Sequence, residues 1–329
     1  MPLFSSAPVV TVVRLSGIIG SLGPLRRGLS LRGVAGQLER AFKPKRLKAV
    51  ALAISSPGGS PVQSALIFRR IRQLARKKDV PVLVFIEEVA ASGGYWLACA
   101  GDEIYADENS IVGSIGVISA SFGFSDAIKR IGIERRVYTA GENKAALDPF
   151  LPEDPHDISR LKAIQADVHE SFKTLVRSRR GKKLRAAEEQ LFNGDFWTGR
   201  RAHELGLIDG LADMRAVITD RFGQDVRIVP MSERVGWLRR RLGVRAEREA
   251  PEMLGANFAS GLVATLEERF LWSRLGCESG KARYLGAAIV TSLFGLSVSR
   301  KSDLRLEQCK SVEYRAGSHG LPQTRLSDA

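Results

Sequence analysis

The fold is decided by residues 49–76, which begin AVALAISSPGGS and continue with a helix-period stretch from Pro61 to Arg76. The apolar, β-branched run of residues 49–54 predicts a buried strand. The pair Gly58-Gly59 then predicts a tight turn before the helix. A strand, a glycine turn and a helix in this order indicate an α/β protein.

The same alternation runs on either side of this stretch. Upstream, Val9 to Arg14 predicts a strand, and Ser30 to Phe42 predicts a helix with apolar residues at helical spacing. Downstream, Val82 to Glu87 predicts a second strand that leads into a helix. Further helical regions are predicted from Asp157 to Arg179 and from Glu188 to Leu205.

Residues 90–95, AASGGY, place Ser92 between that second strand and the start of a helix. The helix dipole favours a developing anion there, so the position suits a nucleophilic hydroxyl. A serine hydroxyl also needs a base within hydrogen-bond reach, usually histidine and otherwise a neutral lysine. The four histidines lie in turn-like, charged or glycine-rich surroundings, and none is a convincing partner. The simpler alternative is that Ser92 is a turn residue or a helix cap.

Lys144, in the sequence GENKAA of residues 141–146, is the candidate base. A lysine accepts a proton near neutral pH only when desolvation keeps its amine neutral, so we expect Lys144 to be buried. Glu142 would lie on the same face of an extended segment and oppose that neutrality, unless the segment is looped. The alternative for a lone lysine is a solvated surface charge.

The glycines of the first turn are candidates for an oxyanion hole. Adjacent glycines let backbone N–H groups approach a reacting carbonyl closely, and the N–H of Gly93 could point towards the same anion. Gly58-Gly59 is equally compatible with a tight strand-to-helix connection. A phosphate-binding loop is disfavoured, because these glycines fit neither the Walker pattern nor a G-x-G-x-x-G spacing.

Several short motifs together resemble the protease IV or signal peptide peptidase A family of serine peptidases, in its short single-module form. The resemblance runs from about Val10 to about Phe222. The motifs, in order, are SSPGG at 55–59, AASGGY at 90–95, GSIGV at 113–117, GENK at 141–144, FWTGRRA at 196–202 and LGLID at 205–209. Several motifs in this order are more specific than any one of them.

The resemblance implies a role for each candidate residue. Ser92 is the expected nucleophile, Lys144 the general base, and Ser114 the residue that orients the lysine amine. The expected oxyanion hole uses the amides of Gly59 and Gly93, with Gly58 as a further candidate. The family also implies a crotonase-like, Clp protease-like α/β fold of repeated ββα units with additional C-terminal helices, assembled as a homo-oligomeric ring.

The motifs fill the first two-thirds of the 329 residues. We therefore expect a peptidase module at residues 1–225 and a basic linker at 226–250. Residues 251–275 are a candidate amphipathic helix for a membrane surface or a partner, and the poorly patterned tail at 276–329 suggests disorder. The apolar N-terminal segment is too short to span a bilayer, and no signal peptide is evident.

The net charge of +14 and the cysteine content limit which partners and which compartment the sequence favours. Basic residues cluster at residues 26–48, 177–185 and 239–241, but no nucleic-acid-binding motif accompanies them, which argues against nucleic acid. A solvated basic surface, or contact with an anionic membrane surface from the cytoplasm, fits better. The chain has three widely spaced cysteines, Cys99, Cys277 and Cys309. This pattern fits a reducing compartment, and no metal or cofactor is expected.

The predicted function is a serine endopeptidase that acts on signal-peptide remnants or on other unfolded or membrane-associated peptides. One alternative is a catalytically inactive scaffold that binds membrane proteins or peptides. The other is a crotonase-type acyl-CoA enzyme, which would share the fold but for which the sequence offers no carboxylate pair to transfer protons.

Overall fold

An eight-stranded, largely parallel sheet forms the centre of the structure, a computed structural model that describes residues 7–20 and 28–231. The strands are β1 Val9–Ser16, β2 Leu47–Ser56, β3 Val82–Ala91, β4 Glu103–Ala106, β5 Ile111–Gly113, β6 Phe196–Thr198, β7 Gly210–Leu211 and β8 Arg227–Pro230. The main order across the sheet is β6-β5-β3-β2-β1-β8, and β4 pairs with both β3 and β7. Among the strand pairs of the described residues, only β5–β6 is antiparallel.

The helices of the described residues are α1 Leu31–Ala41, α2 Pro61–Lys78, α3 Gly93–Ala98, α4 Ser125–Arg130, α5 Pro155–Arg180, α6 Glu188–Leu191, α7 Gly199–Glu204 and α8 Met214–Phe222. Side chains cap the first two helices as their sequences suggest. The hydroxyl of Ser30 accepts the N–H of Gly33, and the hydroxyl of Ser60 accepts the N–H of Gln63. Strands and helices alternate from β1 to α3, so the predicted α/β class is confirmed.

Strand β2 is buried on both faces from Ala49 to Ser56. Val50, Leu52 and Ile54 belong to the cluster formed with α1, α2 and α3, whereas Ala49 and Ala51 pack with Ile218 of α8. Helices therefore cover both sides of the sheet, which explains why β2 is a nearly continuous apolar run rather than an alternating one.

The sheet continues to Pro230, past the predicted end of the module at residue 225. Strand β8 pairs in parallel with β1, and the N–H of Met231 donates to the carbonyl of Val12. The first residues of the predicted basic linker thus form an edge strand. The rest of that linker, the candidate helix at 251–275, the tail, Cys277 and Cys309 lie outside the described residues. Within residues 7–20 and 28–231, no helix combines the length and apolar character needed to cross a bilayer.

Candidate active site

Ser92 lies in the connection between β3 and α3, with φ 51° and ψ −120°. A non-glycine residue with positive φ is strained, by about 1–3 kcal/mol. The Ser92 side chain makes no capping hydrogen bond to α3, so the structure does not use this serine as the helix cap that its position could suggest. Its backbone N–H instead donates to the carbonyl of Gly113, at 2.8 Å. The half-buried hydroxyl is therefore left available for a ligand.

The Gly58-Gly59 turn lies directly against Ser92. Gly58 has φ +110°, and a Cβ on it would lie 2.8 Å from the Cβ of Ser92 and 2.9 Å from the nitrogen of Gly93. A Cβ on Gly59, at φ +133°, would lie 2.1 Å from the carbonyl oxygen of Ile19. Both positions thus require glycine, Gly58 because the turn approaches the Ser92 connection too closely for a side chain and Gly59 because it lies against the Ile19 backbone.

Two amides in these turns have no acceptor within the described residues, those of Gly59 and Gly93. They are close neighbours, since a Cβ on Gly93 would lie 3.4 Å from the nitrogen of Gly59. The N–H of Gly58, by contrast, donates to the hydroxyl of Ser56, at 3.2 Å. Of the three glycines predicted for an oxyanion hole, Gly59 and Gly93 therefore retain an available donor.

Ser114 follows the end of β5, the strand next to β3. Ala91 and Gly113 are register partners in the two strands, so the serines that follow them, Ser92 and Ser114, come to the same edge of the sheet. Ser114 also has positive φ, 53°, and its N–H donates to the carbonyl of Asp195, at 2.7 Å. The structure thus brings together the predicted nucleophile and the predicted orienting serine.

A cavity of about 820 Å³ opens above the two serines. Ser92, Gly59, Gly93 and Ser114 line it, and its remaining walls are largely apolar; they include Trp96, Val168, Phe172 and Phe196. Trp96 of α3 stacks on Phe172 of α5, with ring centroids 4.8 Å apart. The cavity is large enough to hold several residues of an extended peptide.

Lys144 does not line this cavity. It lies in a turn at residues 141–147 and is exposed, so the burial expected for a neutral lysine is absent in the single chain. Because the segment is looped, the alternation that would place Glu142 on the same face does not apply. The role of Lys144 as base stays a prediction.

His169 of α5 lines the cavity and was not predicted as a site residue. Its Nε2 lies 3.1 Å from the carbonyl oxygen of Ile115, the residue after Ser114. The sequence signal for His169 was its position next to Val168, which belongs to the apolar stripe of the helix. The charged residues around it suggested solvent exposure instead.

Residues of the LGLID motif contact the helix that follows Ser92 and the end of α5. The Tyr95 hydroxyl donates to the carbonyl of Leu207, at 2.7 Å. Arg180 is 3% exposed and pairs with Asp209, at 2.7 Å. Burial acts to raise the pKa of Asp209, but hydrogen bonds from Arg180 and Lys183 hold that pKa below its usual value. Cys99 is fully buried, and burial raises the pKa of its thiol to about 12, which makes the thiol unreactive.

Most of the basic residues in the cluster at residues 177–185 form ion pairs within the chain. Arg177 pairs with Glu170 and Glu188, and Arg179 pairs with Asp102. A different set of lysines is exposed and forms no ion pair within the described residues; it consists of Lys43, Lys45, Lys48, Lys77 and Lys78. This lysine face lies where β2 and β3 begin, at the edge of the sheet opposite to Ser92.

A strained serine at the carboxyl edge of a parallel sheet, beside two unoccupied amide donors, is typical of hydrolases that form a covalent intermediate. Residues 74–224 match the model of peptidase family S49. This match, together with the similarity to relatives named as proteases, confirms the resemblance found in the motifs.

The chain matches only part of the length of each of the following relatives. It is 51% identical to a protein named Na(+)/H(+) antiporter NhaA of Brucella abortus, over 81% of this chain and 37% of that protein. It is 28% identical to the chloroplastic serine protease SPPA of Arabidopsis thaliana, over 69% of this chain and 33% of the relative. A putative signal peptide peptidase SppA of Enterococcus faecium is 28% identical over 60% of this chain and 59% of its own length. No transport role is carried over from the first name, because the chain spans just over a third of that protein.

Proposed function

We propose that this chain is a serine endopeptidase with Ser92 as its nucleophile. The observation that carries the proposal is the uncapped, strained Ser92 beside the free amides of Gly59 and Gly93. Donors fixed in this way stabilise the negative charge that develops on a carbonyl oxygen during acyl transfer. The crotonase-like, Clp protease-like architecture is the corresponding proposal for the fold.

In the proposed reaction, the Ser92 hydroxyl attacks the scissile carbonyl carbon while the Lys144 amine removes the hydroxyl proton. The carbonyl oxygen becomes an anion that the Gly59 and Gly93 amides bind. Lys144, oriented by Ser114, then gives the proton to the leaving amine, and the peptide bond breaks. A water molecule that loses its proton to Lys144 hydrolyses the acyl-enzyme and restores Ser92.

The exposed position of Lys144 is explained if the chain acts as a homo-oligomeric ring. The segment around it, residues 117–151, exposes many large apolar side chains; they include Ile118, Phe122, Phe124, Ile131, Ile133, Tyr138, Leu147 and Phe150. Exposed apolar surface on this scale is typical of an interface. We propose that this segment packs on a neighbouring copy and that Lys144 becomes buried beside that copy's Ser92.

The proposed substrates are peptides in an extended conformation. The largely apolar cavity favours unfolded or membrane-associated segments, such as remnants of signal peptides, which the name of the Enterococcus faecium relative suggests. The lysine face supports docking on an anionic membrane surface, since each exposed lysine near such a surface contributes about 1 kcal/mol.

The deciding experiment combines fluorophosphonate labelling with peptide cleavage in wild type, Ser92→Ala and Lys144→Ala. We expect wild type to be labelled and active and both variants to be inactive. Cleavage that persists in both variants would contradict the mechanism. A wild type that is inert towards the probe and towards peptides would favour the inactive scaffold, and turnover of an acyl-CoA would favour the crotonase-type alternative.

A further inference from the structure

The loop that carries Ser114 is held from three directions. The carbonyl of Gly113 accepts the N–H of Ser92, and the N–H of Ser114 donates to the carbonyl of Asp195. The third contact comes from α5, where His169 Nε2 lies 3.1 Å from the carbonyl oxygen of Ile115. The first two contacts are between backbone groups, whereas the third uses the side chain of His169.

The backbone conformation of this loop explains why it needs such a contact. Gly113 and Ser114 both have positive φ, 122° and 53°. A non-glycine residue holds that conformation only where its surroundings enforce it. The Ile115 side chain is fully buried, and within the described residues its carbonyl accepts a hydrogen bond from His169 and from no other group. Loss of the imidazole would leave this carbonyl without its protein donor.

Helix α5 makes a second contact one turn further on, where Phe172 stacks on Trp96 of the helix that follows Ser92. His169 and Phe172 therefore tie the ends of two neighbouring strands to a single helix. Through this pair of contacts, α5 fixes the position of Ser114 relative to Ser92.

We infer that His169 is a positioning residue of the active site, which holds the Ser114 hydroxyl in place by donating the Nε2 proton to the Ile115 carbonyl. The inference rests on the proposed peptidase function. It does not make His169 a base, because a nitrogen that donates to a carbonyl carries its proton and cannot accept another at the same atom.

The test compares His169→Leu, which removes the donor, with His169→Gln, which retains an N–H group at a similar distance from the backbone. His156 begins the same helix and is exposed, so His156→Leu is the matched control. We expect His169→Leu to lower kcat and the rate of fluorophosphonate labelling by about ten- to a hundredfold. His169→Gln should recover most of this loss, and His156→Leu should behave as wild type.

Hydrogen exchange of the backbone amides at residues 114–118 provides a readout that does not depend on activity. The inference predicts faster exchange there in His169→Leu and unchanged exchange in the other two variants. Wild-type exchange and wild-type labelling in His169→Leu would overturn it. A His169→Gln variant as inert as Ser92→Ala would also overturn it, since the ring would then act as the base. If wild type itself cleaves no peptide, the peptidase proposal fails while the exchange data still decide whether His169 holds the loop.

Discussion

The phenolic hydroxyl of Tyr95 donates to the backbone carbonyl of Leu207, 112 residues further along the chain. Tyr95 is fully buried and lies three residues after Ser92, so this bond connects the helix that follows Ser92 to the LGLID motif. Two motifs that are far apart in sequence thus meet in one contact. The contact accounts for the tyrosine in AASGGY without any role in the chemistry.

Tyr95→Phe is expected to lower the free energy of unfolding by about 1–3 kcal/mol, because it leaves the buried Leu207 carbonyl without a donor. Urea unfolding measures the change. Tyr138→Phe is the control, since Tyr138 is 90% exposed and should give wild-type stability. Equal stability of the two variants would show that the buried bond contributes nothing.

Gly58→Ala is expected to reduce fluorophosphonate labelling by about a hundredfold, because displacement of this turn would move the neighbouring Gly59 amide and loss of one oxyanion donor usually has an effect of that size. The added methyl group would clash with Ser92 and separate the two turns. Gly36→Ala, on the surface of α1, should retain full labelling. Thermal melts of both variants separate a local effect from unfolding, and wild-type labelling of a folded Gly58→Ala protein would argue against the oxyanion assignment.

A mixture of Ser92→Ala and Lys144→Ala subunits distinguishes the two possible sources of the base. If Lys144 acts on the neighbouring copy, random mixing of equal amounts after dissociation should restore about a quarter of the wild-type sites. If Lys144 acts within its own chain, every subunit lacks one group and the mixture should stay inactive. Peptide cleavage before and after mixing provides the measurement.

Stability should decrease in acid because of Asp209. Its pKa is lower in the folded protein than the usual 3.8, so its contribution is complete above about pH 4 and is lost as pH falls through the folded pKa. Asp209→Asn is expected to cost about 3–5 kcal/mol at pH 7, because it leaves Arg180 buried without its charge partner, and to flatten the acid dependence. Unfolding midpoints between pH 7 and pH 2.5 test both effects, and Asp220→Asn, at an exposed residue, is the control.

The lysine face predicts binding to anionic vesicles that salt weakens. Reversal of Lys43, Lys45 and Lys48 to glutamate should abolish sedimentation with vesicles that contain phosphatidylglycerol. The matched control reverses three exposed basic residues elsewhere, Lys162, Lys182 and Arg215, with the same change in net charge. Equal loss in both triple variants would point to net charge alone, and tighter binding to nucleic acid than to vesicles would contradict the membrane proposal.

The local parts of the fold were predictable from the sequence. The β2 strand, its glycine turn and α2 depend on apolar runs, glycine and helical spacing, and the structure places all three as predicted. The region from Glu188 to Leu205 was predicted as helical, but β6 interrupts it and forms the antiparallel edge beside β5. That outcome depends on pairing with a distant strand, which local pattern does not encode.

The site was predictable to the extent that it follows from strand order. Ser92, Gly59 and Ser114 meet because they follow the carboxyl ends of neighbouring strands. His169 comes from a helix more than fifty residues further along the chain, and its charged neighbours hid its position. Lys144 is exposed in the single chain. If a second copy covers it, as proposed, its burial depends on a contact between chains that the pattern of one chain does not reveal.

The missing cap of α3 has a consequence for the evolution of this protein. A side chain that capped this helix would add about 1 kcal/mol of stability, but it would occupy the hydroxyl and the amides that the reaction needs. Thermostability and turnover are therefore opposed at position 92. A homologue with a different side chain there that capped the helix should be more stable and should lack activity.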